Sequence, residues 1–168
     1  MISLIVAYAQ NFVIGNDGRI PWDLEDDRQR FKKLTLGSVV IMGRRTFEEI
    51  FQKFHQGLPG RQTIIISNTK VFAGENYQTV VSLQEALKTA ARLFPQKDIF
   101  ICGGETLYRE AISLNLPEKL YITEIELPEP LDGDAFFSQF NQKNFIMEEC
   151  QEIENPIPHK FITYIRKK

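Results

Sequence analysis

The stretch Asp98 to Ser113, DIFICGGETLYREAIS, reads as one βα unit. DIFIC, Asp98 to Cys102, is a continuous apolar strand, Gly103-Gly104 follow at once, and a helix pattern runs from Glu105 to about Ser113. The same alternation extends in both directions. On the N-terminal side, strands are predicted over Ile2 to Ala9, Ser38 to Met42, Thr63 to Ser67 and Gln78 to Val81. Helices are predicted over Pro21 to Leu34, with Asp23 as its cap, and over Arg44 to Ile50. A third begins after Ser82, with Leu83, Ala86, Leu87, Ala90, Leu93 and Phe94 on one face and Glu85 in its first turn. Phe51 to Gly60 reads as a loop. On the C-terminal side, Lys119 to Glu126 is a strand and PEPLDGD, Pro128 to Asp134, is a turn-rich connection. Phe145 to Ile153 and Lys160 to Lys167 are two strands joined by ENPIPH, an antiparallel pair. Strand–helix alternation that ends in a hairpin predicts an α/β fold. Its sheet is predominantly parallel, with helices on both faces and an antiparallel C-terminal edge. In such sheets ligands bind beyond the carboxyl ends of the strands.

Composition narrows the function. The 168 residues suit a single domain, 1–168, with a full core, and a net charge of -2 gives no basic field for nucleic acid or an acidic membrane surface. Cys102 and Cys150, and His55 and His159, are scattered without metal-ligand or nucleophile spacing. The cysteines are expected to be reduced thiols in a cytoplasmic protein. The apolar start, MISLIVAYAQ, lacks the positive flank and length of a signal peptide or membrane span.

Chemistry concentrates in PWDLEDDRQRFKKL, Pro21 to Leu34. At about 100° per residue, Leu24, Phe31 and Leu34 share one stripe, and Asp27 falls inside it. Asp26 points to the polar side with Arg30 and Lys33. A carboxylate on an apolar stripe needs a partner. Either Asp27 forms a structural ion pair, with Arg28 as a candidate, or it is a functional acid.

Three further features stand at strand ends. In IMGRRTFEEI, Gly43 breaks a strand and Arg44, Arg45 and Thr46 open a helix, which suits phosphate or is a solvated basic turn. In ICGGETLY, Gly103-Gly104 either let a ligand approach the backbone or make a tight turn. In TIIISNTK, Ser67, Asn68 and Lys70 suit the hydroxyl or 2′-phosphate of an adenine ribose or are ordinary polar loop residues. Together they suggest a dinucleotide across the sheet edge, with the arginines favouring NADP over NAD. No Ser-His-acid set, second positioned carboxylate or Walker motif is present. An internal acid beside such a groove fits a reductase.

Eight segments carry a family resemblance, in order: SLIVAYAQNFVIG, IPWDLEDDRQRFK, VIMGRRTFEEI, LPGR, IIIS, GGETLY, LYITEIE and DGDAFF. By these the chain resembles bacterial dihydrofolate reductase over essentially its full length. The resemblance implies a central eight-stranded sheet with four flanking helices, and reduction of 7,8-dihydrofolate to tetrahydrofolate by NADPH. It assigns Asp27 to the pterin, with Trp22 holding a nearby water and Thr123 hydrogen-bonding Asp27. Ile5, Phe31, Ile50 and Leu58 would line the folate slot, and Arg61 would grip the glutamate α-carboxylate. Arg28 would meet the glutamate tail or Asp27.

For NADPH, the resemblance implies Ala7, Ile14, Gly15 and the loop to Ile20 over the nicotinamide. Gly43, Arg44, Arg45 and Thr46 would take the phosphates, and Ser67 and Asn68 the adenosine end. Cys102, the Gly103-Gly104 pair with its cis peptide, Glu105, Thr106, Leu107 and Tyr108 would complete the site. The implied protein is a cytoplasmic monomer with a small-molecule substrate. Two rivals differ in what they require. Another pteridine or flavin-pathway reductase of the same architecture would not need Arg61 and Thr123 together with Asp27, and a nucleotide-binding module without turnover would tolerate an apolar residue at Asp27.

Overall fold

A computed structural model describes all residues, Met1–Lys168. The strands are β1 (Ile2–Tyr8), β2 (Val13–Gly15), β3 (Val39–Gly43), β4 (Gln62–Ile66), β5 (Tyr77–Val80), β6 (Ile99–Ile101), β7 (Lys119–Ile125), β8 (Ala135–Phe136), β9 (Phe145–Ile153) and β10 (His159–Arg166). The helices are α1 (Glu25–Thr35), α2 (Arg44–Phe54), α3 (Leu83–Leu93) and α4 (Glu105–Ser113), with short 3-10 turns at Gln10–Phe12 and Gln142–Asn144. Eight strands form one sheet in the order β5-β4-β3-β6-β1-β7-β10-β9. All pairs from β5 to β7 are parallel, whereas β10 runs antiparallel to both β7 and β9. The expected fold class therefore holds.

Side chains alternate across the strands, and this alternation builds the core. Leu4, Val6, Tyr8, Val39, Ile41, Ile64 and Ile101 face one side, where Leu83, Ala86 and Ala90 of α3 and Leu107, Tyr108 and Ala111 of α4 meet them. Ile5, Val40, Met42, Ile65 and Phe100 face the other side, with Phe47 and Ile50 of α2 and Phe31 and Leu34 of α1. Both faces are covered, which is why these strands are apolar at consecutive positions.

Three local expectations need correction. The N-cap of α1 is Leu24, not Asp23, and no side chain caps it. Leu24 is buried, while the Asp23 carboxylate pairs with Arg28 instead of turning back on the helix. Second, α2 continues a turn beyond Ile50 to Phe54 and ends at His55, whose φ of 54° is left-handed. Phe51 extends the apolar stripe, with its ring centroid 5.6 Å from that of Phe47 and 6.0 Å from that of Tyr77. Third, the loop after β1 contains β2, which pairs with β8 as a separate two-stranded sheet. No helix is long and apolar enough to cross a membrane.

The topology decides where the loops meet. The chain leaves the central β1, builds outward through β3, β4 and β5, then returns to place β6 between β3 and β1. The carboxyl ends of β1, β3 and β6 are thereby adjacent, and the Gly43 N–H donates to the Gly103 carbonyl at 2.8 Å across that edge. A cleft at such a reversal of strand order is the place a ligand is expected.

Candidate active site

A cleft of about 710 Å³ opens at this edge. Of the residues singled out from the sequence, Ile5, Ala7, Ile14, Gly15, Ile20, Trp22, Asp27 and Phe31 line it. So do Gly43, Arg44, Arg45 and Thr46 and the whole run Cys102 to Tyr108. Segments from β1, α1, the β3–α2 junction and the β6–α4 junction thus converge on one space.

Asp27 sits in the first turn of α1, where the helix dipole favours an acid. The Thr123 hydroxyl, 1% exposed on β7, donates to Asp27 Oδ1 at 2.6 Å. Burial raises the Asp27 carboxyl above its ordinary range, opposed by the Thr123 hydrogen bond and by the positive charge of Arg30. An acid so placed is poised to exchange a proton nearer neutrality than a surface aspartate. Arg28 is not its partner: its guanidinium pairs with Asp23 and Glu25 in solvent. The cation facing Asp27 is Arg30, which was expected on the polar side of the helix. The pattern could have revealed it, because Arg30 is one turn on from Asp27. However, helical spacing alone does not say that β10 covers this flank.

The opposite wall suits anions. The N-cap positions of α2 and α4 are Gly43 and Gly104, and neither helix has a side-chain cap, whereas Ser82 caps α3 by accepting from the Glu85 N–H at 3.1 Å. Two helix starts with free N–H groups therefore face the same cleft, beside Arg44 and Arg45. The cradle is open: a Cβ on Gly104 would first meet Thr46 Oγ1, at 3.6 Å. Gly103 is different. Its φ is +101°, and a Cβ there would lie 3.0 Å from the Tyr108 ring. That ring is fixed by its hydroxyl, which donates to the Ile5 carbonyl at 2.7 Å, and burial drives the Tyr108 hydroxyl pKa well up. The Gly103-Gly104 peptide is cis, as the resemblance implied. Buried Cys102 donates its thiol to the Phe100 carbonyl, and burial raises its pKa.

Arg44 Nη1 and Lys70 Nζ both bind Glu48, at 2.8 and 2.9 Å, and the Lys70 hydrogen bond heads the interactions that hold the Glu48 pKa low. Ser67 Oγ accepts from the Lys70 N–H at 3.0 Å, so the chain after β4 folds back on this cation pair. Ser67 is buried and Asn68 exposed, and both lie outside the main cleft. Ile50, Leu58 and Arg61 also lie outside its lining. Ile50 and Leu58 pack in the smaller core cluster. Arg61 is 6% exposed and its Nε has no hydrogen-bond partner. A buried guanidinium with an unpaired N–H is an anion acceptor by its chemistry.

The sequence reading missed Asp134 and Ala135, which close the cleft from the β8 side. Asp134 Oδ2 accepts from the Asp17 N–H at 3.0 Å, and the Asp134 N–H donates to the Gly15 carbonyl at 3.1 Å. These bonds hold the loop after β1 over the site. Glu105 Oε2 anchors the same flap by accepting from the Phe136 N–H at 3.1 Å. Turn residues in PEPLDGD carried no signal of this, since their partners lie more than a hundred residues away.

The family model described as "Dihydrofolate reductase" matches residues 1–166. Dihydrofolate reductase type 3 of Salmonella typhimurium is 41% identical over 174 aligned positions, covering 100% of this chain and 99% of that protein. Dihydrofolate reductase of Neisseria gonorrhoeae is 35% identical, covering 97% of this chain and 93% of that protein. The solved structure of dihydrofolate reductase from Enterococcus faecalis, complexed with NADP(H) and RAB-propyl, superposes with a TM-score of 0.85. It is 28% identical and covers 100% of this chain and 97% of that one. With the family's match running through the whole fold, from β1 to β10, the chain belongs to the dihydrofolate reductase family.

Proposed function

We propose that this chain reduces 7,8-dihydrofolate to 5,6,7,8-tetrahydrofolate at the expense of NADPH. One observation carries the reading: the half-buried Asp27 carboxylate, held from behind by buried Thr123, shares its cleft with two uncapped helix starts flanked by arginines. A pterin needs the first and a pyrophosphate the second.

In this reading Asp27 accepts from the 2-amino group and N3 of the pterin and so fixes its orientation between Ile5 and Phe31. Thr123 holds the carboxylate in register. A proton reaches N5 through water near Trp22, favoured by Asp27, whose raised pKa suits proton exchange. NADPH, when bound, supplies the hydride that goes to C6. Arg44, Arg45, Thr46 and the N–H groups of α2 and α4 would hold its phosphates, with Ser67 and Asn68 at the adenosine end. Ala7, Ile14, Gly15 and Ile20 would cover the nicotinamide and exclude water from it, and Tyr108 would lie near it. Arg61 takes the glutamate α-carboxylate, which would satisfy its unpaired Nε. Ile50 and Leu58 support that end of the slot from the smaller cluster. Arg28, held by Asp23 and Glu25, stands at the surface and is available to the glutamate tail only by leaving those partners.

The direct test mixes the protein with NADPH and dihydrofolate and follows absorbance at about 340 nm, a property of the reduced cofactor. Loss of absorbance is expected, and none would overturn the reading. Asp27→Asn keeps the shape and an acceptor for Thr123 but not the charge. It should slow turnover at pH 7 by about 10²–10⁴-fold, the usual worth of acid–base assistance, and by less in acid. Parental activity at pH 7 would make Asp27 structural.

A further inference from the structure

Arg30 makes no direct contact with the cleft, yet its fixed positive charge acts on Asp27, opposing the rise in pKa that burial causes. It begins one turn after Asp27 on α1, and its side chain runs across β7 and β10 instead of out to water. The guanidinium carbon lies 4.7 Å from the Phe161 ring centroid and 5.7 Å from that of Tyr121. Nη1 is 3.4 Å from the Ile122 carbonyl and Nη2 is 3.5 Å from the Ile162 carbonyl. These contacts bracket the Asp27 support. Thr123 follows Ile122 on β7, and Phe161 is its cross-strand partner on β10. Arg30 is absent from the chain's ion pairs, in contrast to Arg28 with its two acids. Its charge is therefore held by aromatic faces and backbone carbonyls, and no paired carboxylate quenches it.

We propose that Arg30 is a positioning residue for the reaction: its guanidinium, locked over Phe161 and Tyr121, holds the Asp27 carboxylate ionised and sets the pH at which turnover declines. The inference rests on Asp27 being the carboxylate that meets the pterin. The other groups around this pair come from several elements. Asp26 of α1 lies 3.9 Å from His159 Nε2, and His159 of β10 is buried, with Nδ1 donating to the Ile157 carbonyl at 2.7 Å. Tyr121 of β7 lies under Arg30, and the charge of Glu149 of β9 acts on Arg30 as that of Asp27 does on Tyr108 of α4. Arg30 brings a positive charge that does not change across the working pH range, because a guanidinium stays protonated even when burial lowers its pKa. A cation facing a partly buried carboxylate favours the ionised form and so offsets part of the cost of burying Asp27.

The test compares Arg30→Met, Arg30→Gln and Arg30→Lys with the parent and Asp27→Asn. The two neutral replacements are made so that failure of one to fold leaves the other to decide. Hydride transfer is followed in single turnovers from pH 5 to 9. The Asp27 carboxyl is titrated separately by ¹³C NMR in the free protein, its resonance assigned by its loss in Asp27→Asn. Both neutral variants should move the alkaline limb and the carboxyl titration upward by about one pH unit, and Arg30→Lys should move them by about a third of that or less. A neutral variant that folds, is slowed equally at every pH and leaves both midpoints in place would show that Arg30 only packs, and would overturn the proposal. In that case a limb abolished by Asp27→Asn would leave the role of Asp27 standing. A limb unchanged in Asp27→Asn would remove the role of Asp27, and that of Arg30 with it.

Discussion

Thr123→Val removes one hydroxyl and little else. Valine has nearly the shape of threonine, and position 123 lies on β7 opposite Phe161 of β10. What is lost is a 2.6 Å O–H···O bond to a carboxylate, donated from a residue 1% exposed. No water can easily replace it at that depth. A hydrogen bond to a charged group is worth about 1.5–3 kcal/mol, and one between neutral groups about 0.5–1.5 kcal/mol. The cost should therefore depend on the charge of Asp27. Burial already raises the folded-state pKa of this carboxyl. Asp27 thus favours the fold most when protonated, below its unfolded pKa, and that contribution is lost as pH rises through the folded value. Removing Thr123's bond raises the folded value further. The variant should be destabilised by about 1.5–3 kcal/mol at pH 8, and by roughly 1 kcal/mol less near pH 4.5, where more of Asp27 is protonated. At about 2–4 °C per kcal/mol for a chain of this size, the melting temperature should fall by roughly 3–12 °C at pH 8. Urea melts at both pH values, with the alkaline limb of turnover measured in parallel, check this. The limb should move upward. Equal destabilisation at both pH values together with an unmoved limb would refute the idea that the hydroxyl acts on the ionised form of Asp27.

If Arg61 binds the substrate carboxylate as proposed, its contribution is uniform binding: Arg61→Ala should raise KM for dihydrofolate by about tenfold or more and leave the hydride-transfer rate within about twofold; pre-steady-state kinetics separate the two. Gly103→Ala combines a left-handed φ with a Cβ 3.0 Å from the Tyr108 ring. It should cost about 1–3 kcal/mol of stability by thermal melting and weaken NADPH binding by fluorescence titration. Asp134→Ala removes the acceptor of the Asp17 N–H. It should speed amide hydrogen exchange at Asp17 and its neighbours while leaving the exchange of β1 and β7 unchanged.

Local chemistry made much of the fold legible. The strand of the opening stretch is consecutively apolar because both faces of the sheet are covered, and the bounds of α4, Glu105–Ser113, and β9, Phe145–Ile153, follow from the pattern. Boundaries failed where a distant partner outweighed the local signal. Asp23 is a good cap by type, but Arg28 takes its carboxylate. Phe51 looked like loop, but Phe47 and Tyr77 continue the helix by giving its ring a place to pack.

The site divides along the same line. Helical periodicity by itself placed Asp27 on an apolar stripe, and residue types at strand ends marked Gly43 to Thr46 and Gly103-Gly104, because these depend on neighbours within a turn or two. Which cation faces Asp27 was a different matter. Arg28 and Arg30 are both near it in sequence, and only the packing of α1 across β7 and β10 sends Arg28 to solvent and Arg30 inward. Likewise Thr123 and Asp134 reach their partners across 96 and 117 residues. The sequence alone determined which groups could do the chemistry. The tertiary structure decided which of them meet, since electrostatic fields and hydrogen bonds act through space, and only folding sets those distances.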